Sequence, residues 1–370
     1  MRILYVTTIG RTMGFFKELI RDLMEEGHVV DIATNEEIEE VPEFFKILNC
    51  EIYNISCTRS PLNKGNFLAI RELKTIVEKG DYDIVHCHTP IAAMCTRLAC
   101  KKFRKNGLRV IYTAHGFHFY SGAPFKNWMM YYPVEVFCSR YTDVLLTINQ
   151  EDYDIAKRKM RAKSIEYIPG PGVDIHKFRN ASVDKTSKRS ELGIPADSFL
   201  ITSVGELNTN KNHEIIIRAI ATLNENIHYV IAGIGTLDNY LLDLSRNLGI
   251  GDRVHLLGFR NDIAEIYKAS DLCCFPSKRE GLGLAAIEAM AAGIPVIAAD
   301  SRGTREFIVD GKSGFMCSHN DVNDFTLKIK RCMSLKSNEL DDICSTAQSI
   351  VDKFDMPTVI KKTKQIYKLI

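Results

Sequence analysis

Two glutamates lie eight positions apart in a segment that could bind a phosphorylated ligand. Glu280 is followed by Gly281, Leu282 and Gly283, and Glu288 lies further on in an alanine-rich stretch with a helical pattern. Glycines let a backbone approach a ligand closely, and the start of a helix offers unpaired N–H groups and a positive dipole end. The segment therefore predicts a site for a diphosphate group.

The spacing of these glutamates also bears on the type of reaction. If the segment is helical, a rise of 1.5 Å per residue separates the two α-carbons by about 12 Å. The paired carboxylates of ordinary glycoside hydrolases lie about 5–9.5 Å apart. We therefore expect the two glutamates to hold separate hydroxyl-bearing parts of one long ligand. On spacing alone, a charge near a helix start and a solvated helix residue explain the pair equally well.

Length and composition indicate what kind of chain positions this segment. At roughly 150 residues per domain, 370 residues predict about two domains. Hydrophobic residues make up 45% and charged residues 25%, which excludes a disordered or fibrous chain. The 48 Lys and Arg nearly balance the 46 Asp and Glu, so no overall field exists to recruit nucleic acid.

Short apolar runs alternate with helical patterns along the chain, which is typical of parallel sheets with helices on both faces. The first half has predicted strands at Ile3–Thr7, Val29–Ala33, Ile84–Cys87, Val110–Thr113, Val144–Thr147 and Ile165–Ile168. The second half has them at Leu200–Val204, Tyr229–Ala232, Val254–Leu256, Leu272–Phe275 and Pro295–Ala298. After the first strand, the sequence predicts a turn at Gly10–Gly14 and a helix over Phe15–Glu26.

These elements divide into two doubly wound, Rossmann-like α/β domains. Pro169-Gly170-Pro171-Gly172 interrupts the alternation, and the polar stretch Asn180–Ser190 is the predicted linker. We expect one domain over residues 1–168 and a second over 190–354, with ligand sites at the carboxyl ends of their strands and facing across a cleft. The C-terminal segment 355–370 has an amphipathic helical pattern over Thr358–Ile370 that could pack on either domain.

Other features concern the compartment. The 11 cysteines form no C-x-x-C pair, which favours a reducing, cytosolic environment without disulfides or structural zinc. The N-terminus leads directly into a strand pattern, so no signal peptide is predicted. No apolar stretch approaches 18 residues, so no membrane-spanning helix is expected.

Five segments together resemble a known family, the retaining glycosyltransferases of family 4, which have the GT-B fold of two Rossmann-like domains. The segment from Pro276 to Met290 is similar to the donor-binding motif of that family. The other matches, in the family's order and spacing, are Thr113-Ala114-His115-Gly116, Val204-Gly205-Glu206-Leu207 with Lys211-Asn212, Gly303-Thr304-Arg305-Glu306, and Asp310-Gly311-Lys312-Ser313-Gly314.

The resemblance implies a role for each matching residue. Glu288 would bind the ribose hydroxyls of a nucleotide, Glu280 would hold the donor sugar and phosphate, and Lys211 would neutralise the diphosphate. His115 would lie beside the donor sugar, so His115, Glu280 and Lys211 form the implied catalytic set. The implied donor-binding set is Gly14, Gly205, Lys211, Arg260, Glu280, Gly281, Leu282, Gly283 and Glu288, with Arg260 in a loop that faces the nucleobase.

The same resemblance implies an activity. The chain would transfer a hexosyl or N-acetylhexosaminyl group from a UDP-sugar, with retention, to a polyprenyl-diphosphate-linked saccharide in capsular or exopolysaccharide synthesis. It would work in the cytoplasm, in contact with the inner membrane face, with a nucleotide sugar as co-substrate and with neither cofactor nor metal. The alternatives are a sugar-nucleotide epimerase, a non-catalytic nucleotide-sugar-binding subunit and, third, an oxidoreductase.

One position departs from the family. Many relatives have an arginine where this chain has Glu206, and a carboxylate cannot replace a guanidinium at a diphosphate. We expect either that Lys211 suffices with backbone donors or that Arg279 or Arg302 supplies the second positive charge.

Several weaker patterns have competing explanations. His86 and His88 alternate on a strand and could share a metal, but no further ligand set accompanies them, so a place near the ligand cleft is favoured for His88. Two Asp-Tyr-Asp triplets, Asp81–Asp83 and Asp152–Asp154, are interpreted as non-functional. The basic clusters around Lys101–Lys105 and Lys157–Lys163 fit solvated helix faces or contact with anionic lipid. The aromatic residues from Phe117 to Tyr132 fit an acceptor groove or burial.

Overall fold

The computed structural model of the protein describes residues 1–223 and 226–368. The chain divides into two compact units. The first unit comprises Met1–Gly172 together with the C-terminal segment that starts at Pro357, and the second comprises Val173–Met356.

The first unit contains a seven-stranded parallel sheet in the order β3-β2-β1-β4-β5-β6-β7. Its strands are β1 (Arg2–Ile9), β2 (Val29–Asn35), β3 (Ile52–Asn54), β4 (Ile84–His88), β5 (Arg109–Ala114), β6 (Val144–Thr147) and β7 (Ser164–Tyr167). Its helices within Met1–Gly172 are α1 (Lys17–Glu25), α2 (Glu43–Ile47), α3 (Gly65–Gly80), α4 (Pro90–Cys100), α5 (Phe125–Ser139) and α6 (Gln150–Lys159). Short 3₁₀ helices cover Gly10–Phe16 and Phe103–Asn106.

The second unit contains a six-stranded parallel sheet in the order β10-β9-β8-β11-β12-β13. Its strands are β8 (Phe199–Val204), β9 (Ile227–Ala232), β10 (Val254–Gly258), β11 (Leu272–Phe275), β12 (Val296–Ala299) and β13 (Phe315–Cys317). Its helices are α7 (Ile175–Arg179), α8 (Lys185–Glu191), α9 (His213–Ala221), α10 (Asp238–Asn247), α11 (Ile263–Ala269), α12 (Leu284–Ala292), α13 (Val322–Met333) and α14 (Ser337–Val351). The 3₁₀ helices are Gly251–Arg253, Thr304–Glu306 and Asp352–Phe354.

The last helix, α15 (Met356–Lys368), packs on the first unit although it follows the second in sequence. Lys364 on α15 donates to Asp22 and Glu26 at the end of α1. The predicted helix over Thr358–Ile370 therefore begins two residues earlier, and positions 369 and 370 lie outside the described residues.

Both sheets have central strands that are buried on both faces. Every residue of β4 is buried, as is every residue of β11 and β12. Strands β11 and β12 are apolar throughout rather than alternating, because helices cover the two faces of a parallel sheet, whereas β4 also buries His86 and His88. The predicted class of two Rossmann-like α/β domains is therefore confirmed.

The structure differs from the sequence predictions in four respects. The short edge strands β3 and β13 are additional to the predicted strands. The predicted turn at Gly10–Gly14 is a 3₁₀ helix that extends to Phe16, so α1 starts only at Lys17. The predicted linker Asn180–Ser190 contains most of α8, whose Lys188 and Arg189 are buried against the second unit.

The fourth difference concerns the segment with the two glutamates. Helix α12 starts at Leu284, so Glu280 lies in the preceding loop. The helical rise used to separate the two α-carbons therefore applies only from Leu284 onward. The arrangement still follows the expectation that glycines precede the helix and the second glutamate lies within it.

Two further observations apply to the described residues. None of their helices is both long and apolar enough to cross a membrane. All 11 cysteines are free thiols, and ten of them are buried.

Candidate functional site

In each unit, the strand order reverses between two neighbouring strands, and loops of both strands leave the sheet at its carboxyl edge. The reversal lies between β8 and β11 in the second unit and between β1 and β4 in the first. A crevice at such a reversal is the usual ligand site of an open α/β sheet. The candidate residues of each unit gather at these two points.

In the second unit, the loops after β8 and β11 are joined by an ion pair. Lys211 Nζ lies 2.7 Å from Glu280 Oε1, and its ammonium group lies 5.3 Å from the centre of the Phe275 ring. Asn210 ties the loops again, because its side chain donates to the carbonyl of Arg279 and its carbonyl accepts from the N–H of Lys278. Lys211 and Glu280 are thus held together at the reversal point, and the roles that the family resemblance implies for them stay predictions.

The glycines of this site are required by close backbone approach. A Cβ on Gly205 would lie 3.3 Å from the side chain of Lys211, so glycine leaves room for the lysine stem. Gly283 has φ +107° at the start of α12, and a Cβ there would lie 2.9 Å from Phe275. Gly281 and Leu282 complete the loop, and Leu282 is buried. A Cβ on Gly303 would lie 2.6 Å from the carbonyl oxygen of Leu282, so Gly303 supports the loop from behind.

Glu288 lies on α12, half-buried among apolar neighbours. Desolvation raises the pKa of its carboxyl to about 7, and the charge of Lys177 on α7 opposes this rise only in part. A carboxyl group with this pKa is ready to gain or lose a proton near neutral pH. Hydrogen bonds from ligand hydroxyl groups would favour its ionised form.

Arg260 lies in a network of ion pairs rather than on its own. Its guanidinium group lies 2.5 Å from Asp262 and 2.7 Å from Glu191, and Lys188 contacts the same two acids. These ion pairs hold the Arg260 side chain in place. The adjoining Phe259 is 72% exposed. The role predicted for Arg260 at a nucleobase remains a prediction.

Arginine residues also bear on the departure at Glu206. Glu206 and Arg279 are exposed, whereas Arg302 is buried and its Nε lies 3.4 Å from the carbonyl oxygen of Glu280. The sequence analysis named Arg279 and Arg302 as cations that could compensate for Glu206. Of these two, Arg302 is the one held against the loop from Glu280 to Gly283, called the glutamate loop below.

In the first unit, His115 directly follows β5 and is partly exposed. Its Nε2 lies 3.0 Å from Nδ1 of His88, which is buried at the end of β4. Burial lowers the pKa of His115 to about 4 and that of His88 well below its usual value, so both rings are neutral. Gly14 lies in the 3₁₀ helix after β1, with open space around its α-carbon.

An acidic residue that the sequence interpretation set aside holds the loop after His115. Asp152, in the second Asp-Tyr-Asp triplet, is fully buried and accepts a hydrogen bond from the backbone N–H of Phe117. Asn149 also donates to it, and the Asn149 side chain caps α6. Asp152 therefore has a structural role in holding this loop, and the interpretation of the triplet as non-functional stays a prediction. The Asn149-x-x-Asp152 capping pattern marks the helix start, but no local signal indicates the long-range bond.

The remaining patterns also have structural explanations. Phe117 and Phe119 are buried and stack at 4.7 Å, so these aromatic residues form core rather than an open groove. The described residues hold no group of three His, Cys, Asp or Glu side chains arranged for a metal. His86 instead bonds Thr113 through Nε2 at 2.7 Å.

Comparison with protein families defines the class of this protein. Residues 2–150 match the family model described as glycosyl transferase 4-like, and residues 184–349 match the model described as glycosyl transferases group 1. The chain belongs to this glycosyltransferase family and is a glycosyltransferase of the GT-B type.

Individual relatives cover most of the chain. It is 42% identical over 286 residues to the putative glycosyltransferase EpsD of Bacillus subtilis. The aligned region covers 76% of this chain and 75% of EpsD. It is 31% identical over 318 residues to the Escherichia coli UDP-Gal:alpha-D-GlcNAc-diphosphoundecaprenol alpha-1,3-galactosyltransferase, spanning 82% of this chain and 81% of that enzyme. The predicted membership in the family 4-like glycosyltransferases is therefore confirmed, while retention of configuration stays a prediction.

Solved structures agree in fold. Anabaena HepE in complex with UDP-glucose superposes with a TM-score of 0.81 at 22% identity, over the full length of both chains. The lipopolysaccharide glycosyltransferase WaaG superposes with a TM-score of 0.75 at 18% identity, over 98% of this chain and 99% of WaaG. At these identities the likeness concerns the fold alone.

Proposed function

We propose that this glycosyltransferase moves a hexosyl or N-acetylhexosaminyl group from a UDP-sugar to a hydroxyl group of a polyprenyl-diphosphate-linked saccharide, with retention of configuration, in the assembly of a surface polysaccharide. The observation that carries the proposal is the Lys211–Glu280 pair beside the glycine loop at the start of α12. A cation, the backbone N–H groups of a glycine-containing loop and a helix start together suit a diphosphate.

The relatives support the choice of substrates. HepE is described in complex with UDP-glucose, and the E. coli relative is named for a UDP-Gal donor and a diphosphoundecaprenol-linked acceptor. These partners belong to those proteins, and we propose the same classes here because the sequence similarity spans both units of this chain.

The chain's own residues would divide the work as follows. Lys211 offsets the negative charge that develops on the departing UDP, with Arg302 behind the glutamate loop as a second cation. Glu280 and the backbone of Gly281–Gly283 hold the sugar and phosphate, and Glu288 accepts hydrogen bonds from the ribose hydroxyl groups. Lys211 and the helix start would supply the positive charge without a bound metal.

Retention follows if the acceptor attacks the face from which UDP departs. The bond between the anomeric carbon and the phosphate oxygen breaks, the acceptor oxygen bonds to the same carbon, and the acceptor proton passes to the departing phosphate. His115, neutral at physiological pH, would hydrogen-bond the donor sugar without carrying a charge.

The test is transfer by the purified chain with UDP-Glc, UDP-Gal, UDP-GlcNAc and UDP-GalNAc and with undecaprenyl-diphosphate-linked GlcNAc as acceptor. We expect a longer lipid-linked product from at least one donor, an anomeric coupling that matches the donor, and equal rates with and without EDTA. A new sugar nucleotide formed from donor alone would instead indicate an epimerase. Tight UDP binding without turnover of any donor would indicate a binding subunit, and loss of activity in EDTA would contradict metal independence.

The acceptor class also predicts contact with a membrane surface, and α5 in the first unit offers one. Its exposed apolar stripe consists of Phe125, Met129, Pro133, Val134 and Phe137. Positions four apart lie on one face of a helix. Phe125 and Met129 are 76% and 64% exposed, which is unusual for such residues on a helix that packs against a domain.

Two basic segments adjoin the C-terminal end of α5. Residues 101–109 and 155–164 each contain five Lys or Arg and no Asp or Glu. Arg104 in the first segment donates to the carbonyl of Arg140, and the N–H of Arg161 in the second donates to Ser139. Basic residues beside an apolar helix face suit an anionic bilayer, at about 1 kcal/mol for each residue near the surface.

Co-sedimentation with phosphatidylglycerol-containing vesicles tests this contact. Serine at Phe125, Met129 and Phe137 should weaken binding by about tenfold or more, whereas Leu327→Ser, which removes a 66% exposed leucine of α13, should not. Equal binding of the two variants would contradict the assignment of this surface. Equal binding of the unsubstituted chain to vesicles with and without anionic lipid would contradict it as well.

A further inference from the structure

A layer of buried rings lies beneath His115 in the first unit. His86 and His88 alternate on β4, and their ring centres are 4.2 Å apart. Phe16 lies 4.2 Å from His88, and Tyr5 on β1 stacks on it at 5.6 Å. His86 and His88 are 2% and 1% exposed, so the layer lies inside the protein.

The contact between His88 and His115 needs one proton. Since both rings are neutral, one of the two nitrogens that meet at 3.0 Å is protonated and the other is not. Which of the two facing nitrogens is protonated also determines whether the other nitrogen of each ring is protonated, because a neutral imidazole carries a single N–H.

The surroundings of His88 favour one of these two arrangements. Its Nε2 is buried and has no hydrogen-bond partner in the described part of the chain. If the proton of His88 were on Nε2, a buried N–H would be unpaired, which is rarer in proteins than an unpaired acceptor. The proton of His88 therefore belongs on Nδ1, from which it is donated to Nε2 of His115. His115 must then carry its own proton on Nδ1.

The C-terminal helix holds the other end of this layer. The hydroxyl of Tyr367 on α15 lies 2.5 Å from Nδ1 of His86 and 2.6 Å from the hydroxyl of Tyr5. Thr113, two residues before His115, occupies the second nitrogen of His86. Both nitrogens of His86 are thus occupied, which fixes its ring and the plane against which His88 packs.

We propose that His88 is a positioning residue that keeps the proton of His115 on Nδ1, so that this nitrogen is a hydrogen-bond donor to the substrate. Tyr367 assists from the second layer by fixing His86. A donor of this kind suits a sugar hydroxyl or a phosphate oxygen, whereas the other tautomer would present an acceptor. The inference rests on the proposed function in assigning His115 to the donor sugar.

The tautomer can be measured directly. The peaks of His115 in long-range ¹H–¹⁵N spectra of the ¹⁵N-histidine-labelled chain can be assigned because they disappear in His115→Ala. In the unsubstituted chain these peaks should show that Nδ1 of His115 is protonated and that Nε2 carries no proton. A proton on Nε2 of His115 in the unsubstituted chain would overturn the inference, whatever the activity of any variant.

Two substitutions at His88 separate positioning from packing. His88→Phe keeps a ring between Phe16 and Tyr5 but cannot donate, whereas an amide N–H in His88→Asn can reach Nε2 of His115. We expect His88→Phe to mix the tautomers of His115 and to lower kcat about 10- to 100-fold, with the donor KM within about threefold. This is less than the loss of about 10²–10³ on deleting a preorganised donor outright. His88→Asn should recover most of the rate.

A double-mutant cycle tests whether His88 acts through His115. In the His115→Ala background, His88→Phe should change kcat less than about twofold. An equal loss in both backgrounds, or a loss in His88→Asn as large as in His88→Phe, would mean that His88 only packs, and would overturn the inference. If the unsubstituted chain transfers no sugar while the spectra show the expected tautomer, the proposed function fails and the positioning of His115 stands.

Discussion

The two points of strand reversal have the same topology and opposite chemistry. Beside β8 and β11, the second unit presents a lysine, a glutamate and a buried arginine around a glycine loop. Beside β1 and β4, the first unit presents neutral histidines packed on aromatic rings. The comparison shows that a doubly wound sheet decides where a site lies, while the loop side chains decide what it can bind. A charged loop suits a diphosphate, and neutral rings suit hydroxyl groups.

The strongest test of this contrast is removal of the charge in the second unit. Lys211→Met should lower kcat/KM for the UDP-sugar by about 10²–10³, because the charge on the departing diphosphate loses its nearest cation. Steady-state rates measure this, and Lys330→Met on the exposed face of α13 is the control. A loss below about threefold would remove Lys211 from the site.

Disturbing the glycine loop should have the next largest effect. In Gly303→Ala, the new Cβ would lie 2.6 Å from the carbonyl oxygen and 2.7 Å from the nitrogen of Leu282, so the loop must move. We expect the donor KM to rise about tenfold and the unfolding free energy to fall by about 1–3 kcal/mol. The histidine NMR signals of the first unit should not change. If those signals shift as well, the two sites are not independent.

The pH dependence of donor binding sharpens the comparison. Since the pKa of Glu288 is raised to about 7, the carboxylate that can accept hydrogen bonds from ribose hydroxyls forms only as the pH rises through neutrality. The donor KM should therefore fall about three- to tenfold between pH 6 and 8. Glu288→Gln should remove this dependence, and Asp341→Asn, at an exposed position of α14, should retain it.

The same shift predicts the sign of a stability change. A carboxyl whose folded pKa is raised above 4.5 favours the folded state below that pH and loses this contribution as the pH rises through about 7. Glu288→Gln should accordingly melt higher than the unsubstituted chain at pH 8 and nearly equally at pH 4. A lower melting temperature at pH 8 would contradict the desolvated setting of the half-buried Glu288.

The smallest effect on donor binding is expected in the second layer of the first unit. Tyr367→Phe removes the hydroxyl between Tyr5 and His86 and should cost about 1–3 kcal/mol in unfolding free energy, because buried polar atoms lose their partner. Thermal melting measures this, with Tyr141→Phe as a control. UDP binding by the second unit should be unchanged.

The sequence predictions succeeded where structure is local. The 11 predicted strands correspond to 11 of the strands found, because buried parallel strands are apolar runs bounded by helical patterns. The edge strands β3 and β13 were not predicted, since three residues are too few to show a hydrophobic period and their pairing depends on a neighbouring strand. Helix α8 was missed because Lys188 and Arg189, polar in the sequence, are buried through ion pairs and carbonyl contacts.

By itself, the sequence determined the class of fold, the family and the proximity of Glu280 to the glycine loop, because neighbours in sequence determine periodicity, turns and helix starts. Only the tertiary structure decided that Lys211 meets Glu280, that Asp152 holds the loop after His115, and that Tyr367 bonds His86 across 281 positions of chain. Such contacts depend on how separate strands and helices pack together, and no pattern of nearby residues encodes that distance.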